Sequence, residues 1–212
     1  MDMSELPGPA RRREKPRLTF TYPIGQSLYM NVTNRCNADC VFCDRKGAAI
    51  VHGYSLKMKK SQEPEAGVYI REIGDPKKFS EIVFCGYGEP TIRWEVVKQV
   101  AEQVKRQGGS TRMNTNGHGN VINHRDITPE LAGVIDTVSI SVNSTDASQY
   151  AALMRVEPSL HAEMLQFARK AKDFTRVIMS VVGINEVDLA AARQLVIDQI
   201  GVEFREREYF GG

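Results

Sequence analysis

Three of the chain's four cysteines lie in one short segment that could hold a metal. Cys36, Cys40 and Cys43 are separated by three and two residues in the sequence NRCNADCVFCD. Thiolates are ligands for zinc, copper(I) and iron–sulfur clusters, and cysteines this close can also be oxidised to disulfides. The segment alone therefore predicts a disulfide knot, a zinc site or an iron–sulfur cluster.

The bulk composition favours a metal site over disulfides. The chain has 212 residues, with 42% hydrophobic and 25% charged residues, which is typical of a globular domain. Its net charge of +2 is too small to attract nucleic acid or an acidic membrane by itself. It contains no apolar run near the about 18 residues that a membrane span needs, and no apolar export signal. We therefore expect a cytoplasmic protein, and disulfides are rare in that compartment.

The pattern of possible ligands favours a cluster over zinc. Structural zinc takes four ligands, usually as two cysteine or histidine pairs, and the sequence shows no second pair with such spacing. Cys85 lies in an apolar stretch, where we expect it to pack as a small buried hydrophobe. A 4Fe-4S cluster normally takes four cysteines, so three would leave one iron open to another ligand. Zinc or redox thiols stay open as alternatives at this point.

The chain divides into a short tail and one domain. Residues 1–20 form a predicted flexible basic tail, because they are rich in Pro and Arg and lack apolar periodicity. In residues 21–210, the single predicted domain, apolar strands alternate with amphipathic helices. Strands are predicted at 26–32, 54–60, 81–86, 110–117, 137–143, 176–183 and 202–210, and helices at 62–73, 92–107, from 128, 158–174 and 187–200.

This alternation predicts an α/β fold with a parallel sheet and outer helices. About six βα units are too few for a closed eight-stranded barrel, so the sheet should be open or a partial barrel. Functional loops of such folds follow the carboxyl ends of the strands. The unusual residues fall at these positions, namely Cys36, the run 86–89, the run 114–117, Asn143 and Gly183.

Several segments together resemble a known family. NVTNRCNADCVFC resembles the signature loop of the radical S-adenosylmethionine (SAM) enzymes, which has the same cysteine spacing and an aromatic before the last cysteine. The order of LYMNVTNRC, CVFC, EIVFCGYGEPT, MNTNG and VSISVN is most similar to the TatD-linked radical SAM proteins, from about Leu28 to Tyr209. The resemblance implies a partial (β/α)6 barrel and a 4Fe-4S cluster held by Cys36, Cys40 and Cys43, with SAM on the open iron.

The resemblance also implies which residues contact SAM. Phe42 matches the aromatic that lies against the adenine, and Glu89 can accept hydrogen bonds from the SAM ammonium group. Gly86 and Gly88 would let the backbone approach the ligand. Further SAM contacts are expected from Tyr87, Asn114, Asn116, Ser141, Asn143 and Gly183.

Some of these positions have a structural alternative. Asn114 to Asn116 could form only a turn closed by Asn116-Gly117. Ser139, Ser141 and Asn143 share one face of their strand and could form only a structural hydrogen-bond network. Arg155 is a further candidate for the SAM carboxylate, with a surface position as its alternative.

The function implied by the resemblance is radical chemistry. A reduced cluster would cleave SAM to methionine and a 5′-deoxyadenosyl radical, which would abstract hydrogen from an unknown substrate. The expected partners are a one-electron donor such as flavodoxin or ferredoxin, a second copy of the chain in a homodimer, and a TatD-type hydrolase in a shared pathway. The alternatives are an iron–sulfur electron-transfer or sensor protein without SAM cleavage, and a zinc-bound structural module.

Overall fold

The computed structural model describes residues 18–43, 45, 47–183 and 187–207. Its strands, in chain order, are β1 Thr21–Ile24, β2 Ser27–Asn31, β3 Ile50–Val51, β4 Tyr54–Ser55, β5 Ile82–Cys85, β6 Thr111–Thr115, β7 Thr137–Ser141, β8 Arg176–Val182 and β9 Glu203–Arg207. The helices are α1 Ala66–Ile73, α2 Trp94–Arg106, α3 Gly119–Ile122, α4 Ala147–Met154, α5 Ser159–Ala171 and α6 Leu189–Gln194, which continues as a π-helix over Leu195–Ile200.

One large sheet organises this part of the chain. Its strand order is β1-β2-β5-β6-β7-β8-β9, with β1 antiparallel to β2 and every other neighbouring pair parallel. The strands β1 and β9 are its two edges, so the sheet described here is not closed into a barrel. The prediction of an α/β fold with an open, largely parallel sheet and outer helices is confirmed.

The two longest helices pack against the sheet through apolar stripes. In α2 the stripe consists of Val97, Val100, Ala101 and Val104, all buried as the helical spacing predicts. The stripe of α5 behaves in the same way, with Met164, Phe167, Ala168 and Ala171 buried. The sheet contributes fully buried residues such as Phe84, Met113 and Ile140 to the same core. The core therefore holds the strand ends at fixed positions relative to one another.

The structure departs from the predicted elements at the amino-terminal end of the domain. Residues 18–20, assigned to the tail, are hydrogen-bonded into the fold: the Thr19 amide donates to the Ser55 carbonyl at 2.9 Å, and the Phe20 carbonyl accepts from the Asn31 amide at 2.8 Å. The rest of the predicted tail lies outside the described residues. The strand predicted over 54–60 is only Tyr54–Ser55, which pairs with β3 in a separate small sheet.

Other departures concern the lengths of predicted elements and one helix that the sequence did not predict. The helix predicted from Thr128 is a single 3-10 turn, Thr128–Leu131, with Pro129 in its first turn. The helix α4 was not predicted, and the part of the last predicted strand beyond Arg207 lies outside the described residues. Among the helices that the structure describes, none combines the length and the apolar character required to cross a membrane.

Candidate active site

The loop that follows β2 carries the three clustered cysteines to the carboxyl ends of the parallel strands. Cys36, Cys40 and Cys43 line one cavity of about 390 Å³. Of the ten residues predicted to contact SAM, all but Gly183 line the same cavity, namely Phe42, Gly86, Tyr87, Gly88, Glu89, Asn114, Asn116, Ser141 and Asn143. Residues far apart in sequence therefore meet at the carboxyl ends of the parallel strands.

The thiols of Cys36 and Cys40 lie in an environment that favours their neutral form. Burial raises the pKa of Cys36 to about 11 and that of Cys40 to about 12. Cys36 also accepts a hydrogen bond from the Ala38 amide at 3.4 Å. A bound iron centre would supply the positive charge needed to stabilise thiolates here, because a metal cation lowers the pKa of the thiols that bind it.

The cysteine loop is attached to the end of α4. The amides of Asp39 and Val41 donate to the carbonyls of Met154 and Leu153, at 3.0 and 2.9 Å. The sulfur atoms of Cys40 and Met154 are 3.4 Å apart. The orphan carbonyls at the helix end are thereby satisfied, and Met154 becomes part of the cavity wall.

A buried polar network lies beneath the loop. Asn116 donates through Nδ2 to Oδ1 of Asn37 at 2.8 Å, and Nδ2 of Asn37 lies 3.0 Å from Nδ1 of His118. The Nε2 atom of His118 lies 2.9 Å from the hydroxyl of Tyr150. Burial lowers the pKa of His118 to about 4, so its ring is neutral near pH 7. A neutral ring that accepts at Nδ1 from Asn37 and donates at Nε2 to Tyr150 accounts for both contacts of His118.

Gly88 packs against the backbone of the cysteine loop. A Cβ atom at Gly88 would lie 2.3 Å from the Arg35 carbonyl oxygen and 2.5 Å from that of Thr33. A Cβ at Gly86, whose φ is +109°, would lie 2.9 Å from Oδ1 of Asn31. From the sequence, we expected these glycines to let the backbone approach a ligand. In the structure, the atoms that leave no room for a Cβ belong to the end of β2 and to the cysteine loop.

Glu89 is buried and holds two strand ends together. Its Oε1 accepts from the amide and hydroxyl of Thr91, at 3.1 and 2.7 Å, and from the hydroxyl of Thr115 at 2.7 Å. Its Oε2 accepts from the Asn116 amide at 2.8 Å. Burial raises the pKa of Glu89, and these hydrogen bonds act in the opposite direction. Glu89 lines the cavity, and Oε2 keeps acceptor capacity for one more donor.

Asn143 lines the cavity and carries an unpaired buried acceptor. It is 2% exposed and adopts a left-handed φ of +51°, and its Nδ2 lies 3.2 Å from the Met154 sulfur. Its buried Oδ1 has no hydrogen-bond partner. An orphaned buried acceptor costs about 1–3 kcal/mol, which a ligand with an N–H or O–H donor would recover. The site therefore fits a thiolate-held metal group beside a polar organic ligand.

Some candidates lie elsewhere. Gly183 does not line the cavity, and its amide donates to the Arg207 carbonyl at 2.9 Å. Arg155 also lies outside it, with its side chain 60% exposed and 3.4 Å from a carboxylate oxygen of Asp39. Ser139 is buried at 8% exposure but is not part of the cavity wall, whereas Ser141 is.

The cavity includes residues that the sequence did not assign to it. Cys85 was expected to pack as a buried hydrophobe, but it is half-buried and lines the cavity, because it is the last residue of β5. Met154, Val182 and Arg207 were not proposed at all. Arg207 donates to the hydroxyl of Ser141 at 3.2 Å. These residues lie at the ends of β8, β9 and α4, and the carboxyl ends of strands adjoin the site in this fold. A prediction based on element ends could therefore have included them.

The fold and the site define a class: an α/β protein with an open parallel sheet and a three-cysteine loop at the carboxyl end of its first parallel strand. Comparison with family models gives the class a name, because residues 30–196 match the radical SAM superfamily. The chain belongs to the radical SAM superfamily, and the predicted family is confirmed at this level.

The curated relatives include members of this class. The chain is 25% identical over 195 residues to a probable GTP 3′,8-cyclase of Methanosarcina acetivorans, covering 86% of this chain and 55% of the relative. It is 32% identical over 98 residues to a tungsten-containing aldehyde ferredoxin oxidoreductase cofactor-modifying protein of Pyrococcus furiosus, covering 42% and 23%. The chain thus spans about half or less of the relatives it matches.

Solved structures show the same fold. Streptococcus suis SuiB bound to S-adenosylmethionine superposes with a TM-score of 0.65 at 16% identity, over 87% of this chain and 40% of that chain. TYW1 with a lysine-pyruvate adduct bound gives a TM-score of 0.61 at 14% identity, over 88% and 66%. At this identity the likeness establishes the architecture.

Proposed function

We propose that this chain is a radical SAM enzyme, which cleaves SAM reductively and abstracts a hydrogen atom from a substrate. One observation carries the proposal: the three cysteines share a cavity with Asn143, whose buried Oδ1 has no hydrogen-bond partner. The thiols account for a 4Fe-4S cluster, and the unpaired acceptor accounts for an organic ligand beside it. Membership of the superfamily, whose relatives here include a probable cyclase, supports an enzyme.

The residues of the chain would bind and orient the two groups. Cys36, Cys40 and Cys43 would hold the cluster, leaving one iron for SAM. Glu89 would accept a hydrogen bond from an ammonium donor, and Asn143 would accept one from a further polar group of SAM. When bound, the cluster and SAM supply one-electron cleavage of the C5′–S bond and a 5′-deoxyadenosyl radical.

The apolar part of the wall would exclude water. Phe42, Met154 and Val182 line the cavity between its polar residues. A radical that meets solvent is lost to side reactions, so a dry wall is a functional requirement of this chemistry.

The two alternatives explain less of the site. An electron-transfer or sensor protein needs a cluster, but it does not need an unpaired buried acceptor on a residue of the same cavity. A zinc-bound structural module needs neither the cavity nor the acceptor. The unpaired Oδ1 of Asn143 therefore favours the enzyme over both.

The direct test is anaerobic reconstitution with iron and sulfide, followed by dithionite and SAM, and chromatography for 5′-deoxyadenosine. Wild-type protein should be brown and should release 5′-deoxyadenosine. Cys40→Ala should lose both the iron and the product, whereas Cys85→Ser, a cysteine variant in the same cavity, should retain its iron. A wild-type protein that binds only zinc, or that holds a cluster and never cleaves SAM, would contradict the proposal.

A second test addresses the ligand half of the site without turnover. Asn143→Ala should weaken binding of S-adenosylhomocysteine to the reconstituted protein by about tenfold, the value of one hydrogen bond to a buried group. Calorimetry measures the affinity, and the visible spectrum checks that the cluster is intact. Unchanged affinity would remove Asn143 from the binding site.

We also propose that the electron comes from a flavodoxin or ferredoxin that approaches the tip of the cysteine loop. Val41 in this tip is 52% exposed, so a donor could come close to the cluster. The test is bleaching of the visible cluster absorbance by a reduced flavodoxin, and its absence would exclude that donor. The homodimer, the TatD-linked subfamily and the TatD-type hydrolase partner stay predictions from the sequence.

A further inference from the structure

Cys85 is a fourth thiol in the cavity that the proposed cluster does not use. It ends β5, whose other residues Ile82, Val83 and Phe84 are fully buried. Cys85 itself is half-buried and lines the same cavity as the three clustered cysteines. The fold thus turns this thiol away from the core and toward the space where a ligand would lie.

A chain of hydrogen bonds fixes the surroundings of this thiol. Arg112 is held by Glu81 at 2.8 Å, and its Nη1 donates to Oδ1 of Asn114 at 2.8 Å. The amide of Asn114 is thereby oriented with Nδ2 toward the Cys85 sulfur, 3.5 Å away. The sulfur therefore accepts a hydrogen bond from Asn114, on one defined side.

The hydrogen of the thiol is less constrained than the sulfur. It contacts the carbonyl of Gly86 at 3.8 Å, a long distance for a weak donor. A ligand in the cavity would therefore meet an S–H group that is not committed to the protein. The unpaired Oδ1 of Asn143 on the same wall independently indicates that an organic ligand fills this space.

We propose that Cys85 is a hydrogen-atom donor to a carbon-centred radical formed in this cavity, an inference that rests on the proposed function. The S–H bond breaks homolytically, a C–H bond forms, and a thiyl radical remains on Cys85. One electron from the donor protein and one proton from solvent return the thiyl to the thiol. The step is downhill because an S–H bond is weaker than the C–H bond of a methyl group.

The test uses the fact that a thiol hydrogen exchanges with solvent. Reconstituted protein is equilibrated in deuterium oxide and mixed with dithionite and SAM in the absence of substrate, and 5′-deoxyadenosine is analysed by mass spectrometry. Wild-type product should carry one deuterium at C5′. Product from Cys85→Ser should lose this label, because an alcohol O–H bond is too strong to donate an atom. Tyr87→Phe removes a second exchangeable hydrogen from the cavity wall, that of the phenol, and tests the tyrosine as an alternative donor.

Each outcome separates the inference from the proposed function. Product from wild-type protein without deuterium, or label that survives in Cys85→Ser, would overturn the inference and leave SAM cleavage standing. Label lost only in Tyr87→Phe would assign the donor role to the tyrosine instead. Loss of iron in Cys85→Ser would make Cys85 a cluster ligand, and absence of 5′-deoxyadenosine from wild-type protein would overturn both proposals.

A second measurement needs no turnover. Iodoacetamide should alkylate Cys85 in the reconstituted protein, as read by peptide mass spectrometry. S-adenosylhomocysteine at ten times its dissociation constant should slow that alkylation by about tenfold, because only the free protein reacts. An alkylation rate unaffected by the ligand would place Cys85 outside ligand contact and overturn the inference.

Discussion

At the scale of single residues, Gly88 is a position where the site leaves no room for a side chain. A Cβ there would overlap two backbone carbonyls of the cysteine loop, at 2.3 and 2.5 Å. The overlap is with backbone, so it cannot be relieved by a side-chain rotation. We predict that Gly88→Ala lowers the free energy of unfolding by about 1–3 kcal/mol and reduces the iron bound after reconstitution. Urea unfolding and iron analysis measure the two effects.

Gly67 in α1 provides the matched control. The nearest atom to a Cβ at Gly67 is a terminal nitrogen of Arg71 at 3.6 Å, an ordinary contact. Gly67→Ala should therefore be neutral or stabilise the protein by up to about 1 kcal/mol, because alanine favours a helix. If both alanine variants behave alike, the packing of Gly88 on the loop does not restrict the side chain at position 88.

Residue types and spacing were sufficient to find most of the cavity wall, but not all of it. The cysteines, Glu89 and Asn143 stand out in sequence because each follows an apolar strand. Met154 does not, since it ends a helix and reaches the cavity only because the cysteine loop binds to that helix end. Cys85 was misjudged because an apolar run does not reveal which face its last residue presents.

At the scale of elements, the sequence predicts long periodic segments well and short ones poorly. The helices α2 and α5 have 13 residues each and clear apolar stripes, and both lie within their predicted ranges. The strand β1 has only four residues, includes Pro23 and pairs at the edge of the sheet, where proline is tolerated. The eight-residue α4 begins at the Asp146 cap and has little amphipathic character, so its stability depends on tertiary contacts.

The network between the loop after β6 and α4 makes stability depend on pH. Tyr150 packs against the ring of the buried His118 and also contacts the ring of His161. The pKa of His118 is about 4 in the fold against 6.5 for a free histidine. Between these values the unfolded chain binds a proton that the folded chain does not. Stability should therefore fall as pH decreases from about 6.5 toward 4, by about 3 kcal/mol from this group.

His118→Gln tests this prediction because glutamine does not titrate. Urea unfolding of cluster-free protein at pH 8 and pH 5 should show a smaller loss of stability on acidification in the variant than in the wild type. His52→Asn, at an exposed left-handed position in the turn between β3 and β4, should leave the loss unchanged. Equal pH dependence in wild type and His118→Gln would show that His118 does not carry the effect.

At the scale of the whole molecule, the site and the core have separate sources of stability. The sheet from β5 to β8 is fixed by fully buried apolar residues, including Phe84, Met113, Val138 and Ile140. The cysteine loop is held mainly by polar contacts instead. They include the two hydrogen bonds to α4, the Asn37 network and the ion pair of Arg35 with Glu63 at 2.7 Å. We infer that the core can fold without a cluster, whereas the loop depends on it.

This division predicts where cluster removal acts. A group that binds only the folded loop stabilises that loop locally, because its binding free energy adds to the polar contacts there. Hydrogen exchange of peptides covering residues 33–43, which include the Asp39 and Val41 amides bonded to α4, should be slower in reconstituted than in cluster-free protein. Peptides from β6 to β8 should exchange equally in both. Cys40→Ala treated in the same way should show no difference between its two preparations, and protection spread evenly over the sheet would mean that the cluster supports the core as well.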